Sequence, residues 1–303
     1  MTTAIVIILA VLLDLWLGEP RQYHPLAGFG RLAQRIETAL IGSPRDDQAL
    51  RGALAVALAI LPWVLLAWML SLWPGVDLLA GVLLLYLAIG GSSLAQHGRA
   101  VAVALAAGDL VLARERVGWM VSRDTAALDE AGISRAAVES VLENGNDALF
   151  GALFWFALLG APGVVLFRLS NTLDAMWGYR TERYHSFGWA AARLDDLLGW
   201  LPARLTALSY LLVGDSARGW RCWQRQGNRT DSPNAGVVMA SGAGALGLVL
   251  GGATSYHGEM LDKPLLGEGF APHGLDIERA IRLVQRALLL WLAVIFILGV
   301  LFG

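Results

Sequence analysis

Residues 52–72 read GALAVALAILPWVLLAWMLSL, 21 positions without a charged side chain. A helix of that length reaches about 31 Å, which matches the roughly 30 Å hydrocarbon core of a bilayer. Just beyond it, residues 78–94 (LLAGVLLLYLAIGGSSL) form a second uncharged run, joined to the first by the five residues Trp73-Pro74-Gly75-Val76-Asp77. So short a link predicts a transmembrane hairpin. Residues 1–17 are apolar except for Asp14, have no basic start and are followed by Gly18-Glu19-Pro20, so they read as a retained anchor and not a signal peptide. Residues 287–303 make a fourth candidate span, preceded by Arg279, Arg282 and Arg286.

Composition agrees with a membrane chain. Hydrophobic residues make up 56% of the 303 and charged residues 16%, against about 25% in soluble domains, too few to coat an ordinary solvated surface. The 35 glycines and 12 tryptophans suit close helix packing and headgroup-level anchoring. A net charge of −2 argues against nucleic acid as a partner. Cys222 is the sole cysteine, which excludes internal disulfides and any CxxC site. All 23 Lys and Arg lie outside the four candidate spans, and none is in the 73–77 turn. The positive-inside rule then places both termini and that turn outside, and 18–51 and 95–286 in the cytoplasm.

Within 95–286 three further apolar stretches look too broken for simple spans. Residues 149–169 carry Gly160-Ala161-Pro162-Gly163 at their centre and read as a re-entrant helical hairpin. Residues 200–213 contain Pro202 and Arg204, and 236–252 contain six glycines; both read as interfacial or re-entrant helices. The expected fold is an all-α, multi-pass integral membrane protein. It has about four transmembrane helices, re-entrant or interfacial helices and cytoplasmic motif-bearing loops. All of 1–303 forms one membrane-embedded domain, with 95–286 as the cytoplasmic and re-entrant catalytic region.

Several motifs could carry chemistry. Gly242, Gly244 and Gly247 match G-x-G-x-x-G, but no βαβ pattern surrounds them, so tight helix packing is the better account. Lys263, the only lysine, lacks the glycine frame of a Walker A loop. Arg135, Glu139, Glu143 and Asp147 are each four apart and form one helical row. Such a row is usually a solvated face. Here Glu143 and Asp147 directly precede the hairpin and Asn171 and Asp174 directly follow it, so folding back would gather Glu143, Asn144, Asp147, Asn171 and Asp174. That oxygen-rich set suits Mg²⁺, which takes a few carboxylates plus substrate phosphates. From 177 to 204, Arg180, Arg183, Arg193 and Arg204 interleave with Tyr179, Tyr184, Phe187 and Trp189, followed by the pair Asp195-Asp196. Arginine forks suit phosphate and carboxylate groups, and an interfacial belt beside anionic lipid is the competing account. His24 has the side chain of a general base near neutral pH, although a lone histidine more often simply makes hydrogen bonds. The polar segments 231–236 (DSPNAG) and 263–267 (KPLLG) read as rigid loops.

At these residues the sequence resembles the adenosylcobinamide-phosphate synthase family of cobalamin biosynthesis (CobD/CbiB-like). The resemblance runs in one order through Asp14 with Gly18-Glu19-Pro20, His24-Pro25, Arg123-Asp124-Thr125, Glu143-Asn144 and Asn171-Thr172-Leu173-Asp174. It continues through Gly178-Tyr179, Glu182-Arg183-Tyr184, Phe187-Gly188-Trp189, Ala192-Arg193-Leu194-Asp195-Asp196, Pro202-Ala203-Arg204, Ser232-Pro233-Asn234-Ala235-Gly236 and Lys263-Pro264. Ala148 and Thr181 depart from the family's usual Gly and Asn. The resemblance implies a ligase of the inner (cell) membrane with active-site loops in the cytoplasm. It would join adenosylcobyric acid, a corrinoid, to an amino-alcohol phosphate such as aminopropanol phosphate, using ATP and Mg²⁺. On that basis Glu143, Asp147 and Asp174 are assigned to Mg²⁺, with Asp195 and Asp196 as second choices. Arg180, Arg183, Arg193 and Lys263 would hold phosphates, Asn171 and Asn234 would orient the carboxylate or amide, and His24 or Glu182 would deprotonate the amine. Membrane lipid, a second copy of the chain and other membrane enzymes of the pathway are the expected partners. A non-catalytic membrane sensor or regulator and a transporter of corrinoid or another anion are the alternatives.

Overall fold

The computed structural model describes residues 1–20, 24–41, 47–179, 181–256 and 259–302. The chain runs through helices α1 (Thr2–Leu17), α2 (Pro25–Leu40), α3 (Gln48–Ser71), α4 (Val76–Ala88), α5 (Gly91–Ala106), α6 (Leu110–Gly118) and α7 (Glu130–Gly145). A π-helical turn (Asn146–Phe150) leads into α8 (Gly151–Trp177), α9 (Trp189–Val213), α10 (Ser216–Gln226) and α11 (Ala235–Leu246). Strands β1 (Val249–Tyr256) and β2 (Glu259–Gly267) then pair as an antiparallel hairpin before α12 (Gly274–Phe302). Among the described residues, four helical runs are long and apolar enough to cross a membrane: Gln48–Ser71, Val76–Ala106, Glu130–Trp177 and Gly274–Phe302. On α3, Leu58, Leu61, Leu65, Trp68 and Met69 are all exposed, an apolar face of the kind lipid covers.

The architecture is helical, as expected, and the differences have local causes. At 16 residues α1 is shorter than a full crossing. The run 78–94 is not one helix, since α4 stops where Ile89 turns extended. The stretch 236–252 is helical only to Leu246; Gly247, at φ 72°, caps α11 in the left-handed region, and the chain continues as β1. Residues 263–267 belong to β2 and are not a free loop. Residues 200–213, read as a separate short helix, continue α9 despite Pro202.

The described residues cluster into two compact units. The first comprises Met1–Gly90, Asp147–Gly199 and Ile295–Gly303; the second comprises Gly91–Asn146 and Trp200–Val294. In the first, α8 is broken at Gly160, whose φ of 65° and ψ of −148° suit glycine alone. The chain folds back there: a Cβ on Gly151 would overlap the Phe167 ring, and one on Gly163 would overlap the Trp155 carbonyl. Residues 151 and 167 would stand about 24 Å apart on a straight helix, so this contact requires a hairpin. From Ala148 to Leu159 the descending arm covers about 18 Å, roughly half the hydrocarbon thickness. Behind the hairpin lies a core of Phe29, Ala55, Ala59, Leu173, Trp177 and Phe187 from α2, α3, the end of α8 and the turn before α9.

In the second unit, α10 and α11 pack through glycines; a Cβ on Gly244 would crowd Cys222 Sγ and the Gly219 backbone. That is the helix-packing reading of the G-x-G-x-x-G match. Gly251, at φ 83°, forms a bulge in β1 whose amide donates to Glu139 Oε1 at 2.8 Å. Its carbonyl accepts from Arg135 Nη1 at 3.0 Å, and Arg123 pairs with Glu139 on the other side. The acidic row on α7 is therefore not a solvated face at Glu139, which is buried in an ion-paired joint.

Candidate active site

The first unit contains four aspartates and an asparagine of interest from three places in the chain. Asp147 lies on the π-helical turn, Asn171 and Asp174 near the end of α8, and Asp195 and Asp196 in the first half of α9. Two contacts explain the convergence. Trp155 Nε1 donates to the Leu198 carbonyl at 2.9 Å and ties the first arm of the hairpin to α9. At the other end Trp177 is sealed in the core, stacked edge-on against Phe187 at 5.3 Å, so α8 and α9 leave one short turn together.

Glu37 of α2 fixes that turn. Its Oε1 accepts from Arg183 Nη2 at 2.7 Å, Arg183 Nε at 3.2 Å and Tyr184 Oη at 2.9 Å, while its Oε2 accepts from Trp177 Nε1 at 3.2 Å. Sequence reasoning missed Glu37. The signal available was a single acidic residue on the apolar-periodic helix 25–40.

The aspartates lie within electrostatic reach of one another: Asp174 of Asp196 and Asp147, and Asp195 of Asp147, Asp174 and Asp196. Burial, reinforced by Asp147 and Asp174, raises the pKa of Asp195 well above the usual carboxylate range, with a hydrogen bond from Asn171 opposing the rise. The Asp195 Oδ1 atom is sealed from solvent and has no hydrogen-bond partner among the described residues. An orphaned buried carboxylate oxygen among like charges is what a hard divalent cation would relieve, and the donor set fits Mg²⁺. Among the described residues no three of His, Cys, Asp or Glu already converge as a ligand cage.

Arg168, on the returning arm of α8, was not singled out in the sequence. It lies within electrostatic reach of Glu19 and Asp147, and its Nε is buried without a hydrogen-bond partner among the described residues. It is also the one charged residue lining an apolar cavity of about 470 Å³ walled by Leu26, Phe29, Trp63, Leu70 and Leu87. A lone arginine in an apolar segment was the legible signal.

The remaining candidates divide. His24 caps α2, its Nδ1 accepting from the Leu26 amide at 3.2 Å, with Nε2 3.6 Å from Glu19 Oε1. Burial lowers its pKa, outweighing Glu19. In this geometry the basic nitrogen of a neutral imidazole is engaged in capping α2, so His24 has a structural role here. Arg183 is ion-paired to Glu37, which gives it a positioning role at the turn. Arg193 is exposed and 3.9 Å from Asp196, and Glu182 is exposed on the turn. Arg180 lies outside the described residues. Glu143, Asn234 and Lys263 belong to the second unit. There Asn234 Oδ1 accepts from Arg204 Nη1 at 2.9 Å, and Lys263 pairs with Gly252 in the β-hairpin.

Comparison with known proteins points one way. A family model described as "CobD/Cbib protein" matches residues 7–284. The chain is 57% identical to the cobalamin biosynthesis protein CobD of Chromobacterium violaceum, covering 100% of this chain and 99% of the relative. It is 56% identical to the protein of the same name in Stutzerimonas stutzeri over the whole of both chains. The Mycobacterium tuberculosis protein of that name is 42% identical, over 94% of this chain and 93% of its own. No solved structure matches.

Proposed function

Because the chain belongs to the CobD/CbiB protein family, whose matched members are cobalamin biosynthesis proteins, we propose that it is the membrane ligase that joins adenosylcobyric acid to an amino-alcohol phosphate. The carboxylate and amine do not condense unaided. Transfer of the terminal phosphoryl group of ATP to the carboxylate gives an acyl phosphate and ADP; the amine then attacks the acyl carbon, phosphate leaves, and an amide remains. The observation that carries this reading is that Asp147, Asp174 and Asp196 lie within electrostatic reach of Asp195, whose sealed Oδ1 has no partner among the described residues.

Mg²⁺, when bound, supplies positive charge that neutralises phosphate oxygens. Asp147, Asp174, Asp195 and Asp196 would hold it. Asn171 orients Asp195 through its hydrogen bond, and Arg193, exposed beside Asp196, offers a fork to an entering phosphate. Arg168 supplies the nearest fixed positive charge on the apolar side, where a substrate carboxylate can be desolvated and held. Glu37, Arg183, Tyr184 and Trp177 keep α8 and α9 in register and touch no reacting atom in this scheme. The active-site turn is proposed to face the cytoplasm, where ATP is supplied.

The test is direct. Purified protein in detergent, given adenosylcobyric acid, ATP, Mg²⁺ and aminopropanol phosphate, should form the amide with stoichiometric ADP, read by mass spectrometry. ATP-independent corrinoid uptake by vesicles, or corrinoid binding without turnover under every nucleotide and metal condition, would replace the ligase with a transporter or a sensor.

A further inference from the structure

A separate cavity of about 280 Å³ lies within the second unit, lined by Val213 and Gly214 at the end of α9, Ala245 and Leu246 at the end of α11, and Arg279, Arg282 and Arg286 with Leu283 on α12. Its charged lining is entirely basic. The three arginines recur at helical spacing and so form one face of α12. Arg279 is partly neutralised: its Nη1 pairs with Asp276 at 2.6 Å and its Nη2 donates to the Leu246 carbonyl at 2.6 Å. Among the described residues Arg282 and Arg286 have no hydrogen-bond or ion-pair partner. They gain nothing from each other, since like charges one turn apart repel.

Position in the fold narrows the ligand. Arg286 directly precedes the uncharged remainder of α12, from Ala287 to Phe302, about 24 Å of apolar helix. Trp291, one to two turns further on, donates its indole N–H to Ser209 Oγ at 2.8 Å, a polar anchor of the kind tryptophan makes near a membrane interface. That position points to headgroup level, and Val213 and Leu283 give the cavity an apolar part of its lining beside the arginines.

We propose that this cavity binds a phosphoryl group, held by Arg282 and Arg286 with Arg279 as a third, partly shared donor. Guanidinium forks match phosphate oxygens in geometry and charge, and a phosphate would relieve the repulsion along the α12 face. The group comes either from an anionic phospholipid headgroup in the adjoining leaflet or from a soluble phosphate. The site is independent of the aspartate cluster and of the ligase reading.

The test uses the full-length protein and the double variant Arg282→Gln/Arg286→Gln. Binding of inorganic phosphate is measured by calorimetry in neutral detergent, and retention of phosphatidylglycerol by native mass spectrometry after release from phosphatidylcholine nanodiscs with and without phosphatidylglycerol. Each arginine lost should weaken the responding probe about tenfold, and Arg282→Lys/Arg286→Lys should recover part of that loss. Phosphatidylglycerol retention that is lost in the double variant, without a phosphate response, identifies a lipid headgroup site; a phosphate response lost in the double variant identifies a soluble phosphate site. Equal behaviour of wild type and double variant toward both probes, or binding of neither by wild type, overturns the proposal. If the double variant does not fold, Arg286→Gln alone and the Lys pair decide by the same comparison, with Arg225→Gln on α10 as the control for general loss of positive charge.

Discussion

Replacing Asp195 with Asn should stabilise the metal-free protein while abolishing ligation. In the fold Asp195 lies within electrostatic reach of Asp147, Asp174 and Asp196, and its Oδ1 is buried without a partner among the described residues. Two unit charges 4–8 Å apart at an effective dielectric of about 20 repel by about 2–4 kcal/mol. The neutral amide removes such terms. Its oxygen can still accept from Asn171, and its new N–H₂ can donate toward a neighbouring carboxylate from the place where Oδ1 now has nothing. Allowing for partial protonation of the cluster, a net gain of about 1–3 kcal/mol is expected at neutral pH. The pH dependence has a defined sign. Burial and like charge make Asp195 ionise at higher pH in the fold than in the unfolded chain, where a carboxylate titrates near about 3.9. Its contribution to stability is therefore whole below that pH and is lost as pH rises through the raised folded pKa. Unfolding of chelator-treated protein, followed by tryptophan fluorescence across this range, should show wild type losing stability with rising pH and Asp195→Asn losing less. With Mg²⁺ and ATP present, amide formation by the variant should fall about 10²-fold or more, by analogy with removing one preorganised electrostatic group. A metal-free variant less stable than wild type, or one with near-normal turnover, refutes the reasoning.

Gly160→Ala should cost about 1–3 kcal/mol, because φ 65° with ψ −148° strains any residue bearing a Cβ; an unchanged denaturation midpoint would mean the hairpin turn is not held in that conformation. His24→Asn, which keeps an acceptor for the Leu26 amide, should retain most activity, whereas His24→Ala should lose about 1 kcal/mol of stability; an inactive but stable Asn variant would favour a general base over a cap. Glu37→Ala should cost about 2–4 kcal/mol, mostly from stranding the buried Trp177 indole N–H, and Arg183→Ala less, since Arg183 is 57% exposed and rehydrates; equal costs in denaturant titrations would shift the weight to the ion pair. Thr181→Cys, on the exposed turn before α9, should resist impermeant thiol reagents applied to whole cells and react in inverted vesicles, and labelling from outside would reverse the proposed sidedness.

The parts of this fold legible in the sequence were those governed by one-dimensional rules. An uncharged run of bilayer length names a span whatever its neighbours do, and Gly160-Ala161-Pro162-Gly163 announces a break because it is set by backbone sterics alone. The β-hairpin was not legible. Gly247, Gly251 and Gly252 dilute the period-two pattern that marks a strand, and the Gly251 bulge exists to meet Glu139, 112 residues away. Chain spacing likewise could not tell which arginines bind ligands and which bind protein. Arg183 looked like a phosphate fork because its partner Glu37 lies 146 residues off, on a helix with no motif of its own.

The aspartate cluster and the hairpin are one arrangement. Gathering four carboxylates is unfavourable, so something must hold them in place before any cation arrives. That force is apolar: the Phe167 ring seated against Gly151, Trp177 sealed against Phe187, and Leu173 in the core directly beside Asp174. Because each carboxylate is carried by an element whose other face is buried, repulsion cannot spread the cluster without unpacking that face. Burial, with that repulsion added, raises the Asp195 pKa and leaves Oδ1 without a partner among the described residues, a state that a cation bound to phosphate would relieve in the proposed reaction. The prediction for Asp195→Asn follows from this: the same charge that destabilises the fold without a cation is the one the proposed reaction would use.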